Sequence, residues 1–105
     1  MPLGGNVVRR DLGQQVMEDI TLYTKMSIEH AIQSPEAALE FAKAWGRGID
    51  DDTNEAFVGM YVNDRTIDYR EEGRESIRRF IKEGQDIGLI REDFDTASMR
   101  FIGAP

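Results

Sequence analysis

The residues able to carry catalysis are few, and His30 is the first to consider. It is the only histidine among the 105 residues, and the chain contains no cysteine. A thiolate nucleophile and a cysteine-based zinc site are therefore excluded, and any imidazole base or ligand must be His30. Glu29 stands beside it, but adjacent helix residues point in different directions. We expect a partly exposed histidine favoured by the C-terminal end of a helix.

Three consecutive carboxylates, Asp50, Asp51 and Asp52, form the second candidate site. They lack the alternating spacing, central glycine and terminal glutamate of a calcium-binding loop. Capping of a helix and compensation of its dipole is the simpler interpretation. Gly4 and Gly5 do not form a phosphate loop, because no helix begins directly after them. Neither a metal nor a cofactor is therefore predicted.

The charge of the chain limits its partners. A formal net charge of −7 opposes binding to nucleic-acid phosphates, and the acidic polar faces disfavour anionic membranes. Glutamates alternate with the one basic cluster, which consists of Arg74, Arg78, Arg79 and Lys82. This pattern is typical of a solvated helix face with ion pairs. No apolar run could span a bilayer, and no signal peptide is recognisable, so a cytoplasmic protein is expected.

The elements that must position these residues are mainly helical, with one short N-terminal strand. Residues 3–10 predict the strand, because Val7 and Val8 are β-branched and glycine precedes them. Such a strand cannot satisfy its backbone alone and needs a neighbour. Periodicity predicts helices over about residues 13–33, 35–45, 52–62 and 70–87, with a loop at 64–69 and a tail at 91–105.

Two further expectations concern packing. Trp45 and Tyr61 lie on the apolar stripes of their helices, which favours core positions over a cofactor site. Gly88 is a natural helix stop, with Leu89 and Ile90 placed to fold back onto the preceding helix.

Four stretches of the chain, taken together, resemble one enzyme family. They are PLGGNVVRRDLG at 2–13, SPEAAL at 34–39, MYVN at 60–63 and DYREEGR at 68–74. In this order they are similar to the C-terminal part of 1,4-dihydroxy-6-naphthoate synthases of the futalosine route to menaquinone. The resemblance extends from Pro2 to about residue 90. One position departs from it: Arg70 stands where the family pattern places glycine, so a positive φ there would carry a conformational cost.

The resemblance implies a fold and a reaction. The fold is that of the α/β type II periplasmic binding proteins, with substrate held between two lobes. The reaction is cleavage of cyclic de-hypoxanthine futalosine, a carbon–carbon lyase step without metal or organic cofactor. The family's proposed catalytic base is a histidine upstream of the Pro-Leu-Gly segment, a position that His30 does not match. The resemblance therefore places no catalytic residue in this chain and implies a C-terminal portion, inactive without an N-terminal part.

Residues that contact substrate would be Gly4, Asn6 and Arg9, because the ends of strands and their loops face the cleft in such folds. The alternative is that Arg9 and Arg10 are structural surface charges. The expected partner is then a small-molecule substrate, and no nucleic acid or membrane is expected.

A different class of function is also open, namely a helical protein-interaction module without catalytic activity. An incomplete lobe would expose apolar stripes around Phe41, Trp45, Phe57 and Phe80, and exposed apolar surface marks interfaces. Residues 7–9 could also pair with a second copy and form a homodimer.

Overall fold

Five helices make up most of the chain in the computed structural model, which describes residues 2–104. They are α1 (Gln14–Gln33), α2 (Pro35–Lys43), α3 (Asp51–Tyr61), α4 (Asp64–Ile67) and α5 (Arg70–Asp86), with short 3-10 turns at Arg10–Leu12 and Thr96–Ser98. The bounds of the four long helices differ from the sequence-based bounds by at most two residues. Consecutive elements pack on one another from α1 to α2 and from α2 to α3.

The predicted strand at residues 3–10 is wrong. Throughout residues 2–104 the backbone forms no strand, and Val7 is 99% exposed. Arg9 has the extended dihedrals φ −70° and ψ 131°, as β-branched neighbours favour. Extension alone does not make a strand, because the backbone groups need a partner ladder. The segment instead turns into helix through bonds such as Gly13 N–H to Arg10 O, at 3.3 Å.

The α/β two-lobed architecture expected from the resemblance is also not found. A two-lobed fold of that kind requires sheets in each lobe, and residues 2–104 are helical with no sheet at all. The correction follows from the missing strand pairing, since no segment among residues 2–104 forms a ladder with residues 3–10.

Local capping explains where α3 and α4 begin. Asp50 caps α3 by accepting the backbone N–H of Thr53 at 2.9 Å and its hydroxyl at 2.7 Å. The expected loop at 64–69 begins instead with the single-turn helix α4. Its N-cap Asn63 forms a reciprocal capping box with Thr66. A helix this short leaves no periodic pattern in the sequence.

The C-terminal end of α5 confirms the sequence-based expectation. Gly88 has φ +76°, the left-handed conformation that glycine adopts at little cost. The backbone N–H groups of Leu89 and Ile90 then donate to Gly84 O at 2.9 and 3.1 Å. The Ile90 side chain folds over Gly84, so that a Cβ added there would lie 2.7 Å from Ile90 Cδ1.

The helices do not enclose a common core. Met17, at 4% exposure, is the one buried hydrophobic residue among those described. The surface area of 8408 Å² compares with about 5,900 Å² for a compact monomer of this size. The radius of gyration is 16.4 Å, against about 13 Å for a compact domain. Trp45 and Tyr61, expected in the core, are instead 73% and 46% exposed, because no second layer covers their helices.

Candidate functional site

Tyr69 joins the N-terminal segment to the start of α5. Its hydroxyl donates to the carbonyl oxygen of Gly4 at 3.3 Å. A Cβ added to Gly5 would lie 3.2 Å from the same hydroxyl, and one added to Gly73 would lie 2.9 Å from Tyr69 Cβ. Glycine at both positions therefore permits the close approach of the tyrosine to the N-terminal segment on one side and to α5 on the other.

The turn that presents Tyr69 is held by Asp68. One carboxylate oxygen, Oδ1, accepts the backbone N–H of Arg70 at 3.0 Å and Arg74 Nη1 at 2.8 Å. Bonding from an aspartate to the backbone two residues on is typical of an Asx turn. Arg70 itself has φ 55°, so the position where the family pattern places glycine is left-handed in this chain. The conformational cost anticipated from the sequence applies here.

Ion pairs extend from this turn along α5. Arg74, only 8% exposed, also binds Glu71 Oε2 at 3.3 Å, and Arg78 Nη1 binds Glu71 Oε1 at 3.3 Å. The hydrogen bond from the Arg70 backbone, reinforced by the Arg74 side chain, lowers the pKa of Asp68. Hydrogen bonds from Arg74 and Arg78 lower the pKa of Glu71. Both carboxylates therefore stay ionised to a lower pH than an ordinary aspartate or glutamate does.

The C-terminal tail completes the cluster, a role that its sequence does not indicate. The ring of Phe101 meets Tyr69 edge-on, with centroids 6.4 Å apart and planes at 84°. The guanidinium of Arg78 lies 5.2 Å from the centre of the Phe101 ring. Arg10 Nη2 donates to Ser98 O at 3.2 Å. The N-terminal segment (residues 2–10), the start of α5 and the tail therefore converge around Tyr69. We call this group of contacts the Tyr69 cluster.

The three predicted substrate-contact residues are not brought together. Gly4 lies in the Tyr69 cluster through its carbonyl. Asn6 is exposed. Arg9 donates from Nε to Asp11 Oδ1 at 2.9 Å, and its side chain is 78% exposed. Their role in binding substrate stays a prediction.

The other sequence candidates lie away from this cluster. His30 is exposed in the last turn of α1, as expected. Asp50 is occupied in capping, and the backbone N–H of Thr53 lowers its pKa. Asp51 pairs with Lys43 Nζ at 3.1 Å. Over residues 2–104, no three His, Cys, Asp or Glu side chains are grouped to hold a metal ion.

The described contacts of the Tyr69 cluster are hydrogen bonds, ion pairs and aromatic contacts between chain segments. Its carboxylates, Asp68 and Glu71, pair with arginines. Two surface grooves of about 380 and 230 Å³ lie elsewhere. The first is lined by Lys82, Gln85, Asp86 and Glu92, and the second by Glu36, Leu39, Glu40, Lys43, Asp51, Asn54 and Glu55. The cluster therefore fixes the relative position of three chain segments.

Comparison with known proteins identifies the family. A family profile described as menaquinone biosynthesis matches residues 1–86. The chain belongs to this family. It is 33% identical over 89 residues to the 1,4-dihydroxy-6-naphthoate synthase of Thermus thermophilus, a match covering 85% of the chain and 33% of that relative. It is 28% identical over 90 residues to the enzyme of the same name from Streptomyces coelicolor, covering 86% of the chain and 32% of the relative.

These matches confirm the family resemblance inferred from the four stretches. The chain spans about a third of the length of the curated relatives it matches. No solved structure is significantly similar to it. In the part of the chain described, no helix combines the length and apolar character that crossing a membrane requires.

Proposed function

We propose that this chain forms part of a 1,4-dihydroxy-6-naphthoate synthase-like lyase that cleaves cyclic de-hypoxanthine futalosine in menaquinone biosynthesis. In this proposal the chain acts together with a polypeptide equivalent to the two thirds of the relatives that lie outside the match. We call this second part the covering polypeptide. The catalytic base comes from that polypeptide, and the substrate contacts in this chain are Gly4, Asn6 and Arg9.

The proposal is supported by the family match together with the large apolar surface that the chain leaves exposed. The chain exposes about 2,500 Å² more surface than a compact monomer of its size, and the excess includes large apolar side chains such as Phe41 and Phe57. Burial of apolar surface is the main source of folding stability. The helices match a synthase in sequence, and their apolar faces are exposed. We expect this combination if the covering polypeptide normally buries those faces.

The experiment is an assay for release of 1,4-dihydroxy-6-naphthoate. The purified chain is assayed alone and mixed with the Thermus thermophilus relative from which the matching segment has been deleted. We expect turnover in the mixture and none from either part. Turnover by the chain alone would show that it does not depend on the covering polypeptide, and failure of a stable mixture to turn over would contradict the family reaction for this chain.

A matched variant locates the base. His30→Gln in this chain should leave turnover of the mixture unchanged, because the proposal places the base in the covering polypeptide and His30 is exposed in the last turn of α1. Loss of turnover in that variant would place the base in this chain and refute its assignment to the covering polypeptide.

A second candidate function is a homodimer or helical interaction module without activity. The exposure of Phe41 and Trp45, each 73%, favours it specifically, because these side chains lie one turn apart with ring centroids 6.4 Å apart and form a continuous apolar stripe. A stable interface buries about 800 Å² on each partner. The surface that this chain exposes beyond that of a compact monomer is larger than this area. Sedimentation equilibrium at several concentrations tests it: a well-folded monomer throughout would exclude the homodimer.

Phe41→Asp should abolish self-association if this stripe is the interface. The matched variant Glu40→Asp, on the same helix, keeps the charge and should leave association unchanged.

A further inference from the structure

We propose that Tyr69 is a positioning residue that fixes the segment carrying Gly4 and Asn6 against the start of α5. The inference rests on the proposed function in one respect: these two residues are the predicted substrate contacts. The positioning itself follows from the contacts of the tyrosine and can be tested without turnover.

Tyr69 donates the hydrogen bond that the structure describes between the N-terminal segment and the start of α5. Residues 5–8 have no strand partner, so no backbone ladder holds them. The bond from the Tyr69 hydroxyl to Gly4 O joins positions 65 residues apart. Within residues 2–8 it is the one hydrogen bond that the structure describes, so its loss should make this part of the segment more mobile.

The surroundings of the tyrosine hold it in one place. Phe101 contacts its ring edge-on. On the other side Tyr69 lies close to Gly73, where an added Cβ would be 2.9 Å from Tyr69 Cβ. Arg65 Nη1 donates to the Tyr69 backbone carbonyl at 3.3 Å. Ring, backbone and hydroxyl are therefore each fixed by a different part of the chain, and the hydroxyl is directed at Gly4.

Neighbouring glycines provide a matched pair of perturbations. A Cβ added to Gly5 falls 3.2 Å from the Tyr69 hydroxyl, a contact that the tyrosine must give way to, whereas one added to Gly4 has no atom within 4 Å. Gly5→Ala should therefore disturb the anchor. Gly4→Ala keeps the accepting carbonyl and should leave the anchor in place.

The first experiment measures mobility of the segment directly. The chain has no cysteine and Val7 is 99% exposed, so Val7→Cys gives a single nitroxide site with little disturbance. The ratio of mobile to immobile label should rise about twofold with Tyr69→Phe, the low end of what one hydrogen bond contributes, because this bond is exposed and 3.3 Å long. It should rise with Gly5→Ala and stay unchanged with Gly4→Ala. Circular dichroism confirms that each variant keeps its helices.

An unchanged ratio in both Tyr69→Phe and Gly5→Ala would overturn the proposal, as would an equal rise in Gly4→Ala. Tyr69→Ala serves as a second variant, and its label should be at least as mobile as that of Tyr69→Phe.

The second experiment uses the mixture with the covering polypeptide. Tyr69→Phe should raise KM several-fold with kcat within about twofold, since the loss is in placing substrate contacts and not in the chemical step. A lowered kcat at unchanged KM would overturn the link to substrate contacts. If the unaltered chain gives no turnover in the mixture, the proposed function fails, and the label experiment still decides whether Tyr69 positions the segment.

Discussion

Replacing Arg70 by glycine is expected to stabilise the chain, although glycine at most positions of a helical protein does the opposite. Arg70 has φ 55°, and a left-handed conformation costs an L-residue about 1–2 kcal/mol. Glycine removes that cost but adds about 0.4–1 kcal/mol of backbone entropy to the unfolded chain. The backbone N–H that Asp68 accepts is present in either residue. The net gain is therefore about 0.5–1 kcal/mol, or about 2–8 °C in Tm.

The assay is thermal unfolding followed by circular dichroism at 222 nm. Two controls separate backbone from side-chain effects. Arg70→Ala removes the charge and keeps Cβ, so its Tm should remain close to that of the parent. Arg79→Gly places glycine inside α5, where the φ is ordinary and the helix propensity of glycine is poor, so its Tm should fall.

The result that refutes the reasoning is a rise in Tm for Arg70→Ala equal to that for Arg70→Gly. Such a rise would assign the effect to the guanidinium and not to the left-handed backbone. A fall in Tm for Arg70→Gly would show that residue 70 does not adopt a positive φ in solution.

Two further predictions concern acid stability and helix packing. Because the folded-state pKa values of Asp68 and Glu71 lie below their ordinary values of 3.8 and 4.5, their stabilising contribution is complete above about pH 4.5 and is lost as the pH falls through the lowered values. Urea unfolding from pH 7 to pH 2 should show this loss, and Asp68→Asn should flatten the curve; a curve of unchanged steepness would contradict it. Gly84→Ala should lower Tm, since the new Cβ would lie 2.7 Å from Ile90 Cδ1 and 3.0 Å from its Cγ1, so that more than the tip of the side chain must move. Overpacking costs about 1–3 kcal/mol, against a helix-propensity gain of about 1 kcal/mol. Gly59→Ala, with open space around it in α3, should raise Tm, and equal shifts in the two variants would refute the argument.

The sequence predicts the long helices well because their determinants are local. The apolar spacing of α1 and α5, the proline at the start of α2 and Gly88 after α5 all act within a few residues. The single-turn helix α4 escaped prediction, since its capping box uses Thr66 where glutamate or glutamine is the usual signal.

Features that depend on distant residues could not be predicted in the same way. The strand assigned to residues 3–10 was wrong because local β propensity says nothing about whether a partner strand exists. The contact between Tyr69 and Gly4 joins segments 65 residues apart. Its only trace in the sequence is the small size of Gly5 and Gly73. The apolar character of Phe101 indicates that it could pack, but where it packs could not be predicted, because the tail lacks periodicity.

The convergence around Tyr69 has a consequence for the order in which the chain folds. Gly4 and Phe101 both contact this one side chain, and the hydrogen bond to Gly4 joins positions 65 residues apart. Contacts between such distant positions require closure of a long loop, and its entropy cost must be met before the contact stabilises the chain. The helices depend on local contacts and should therefore form first, with the N-terminal segment and the tail docking on Tyr69 last.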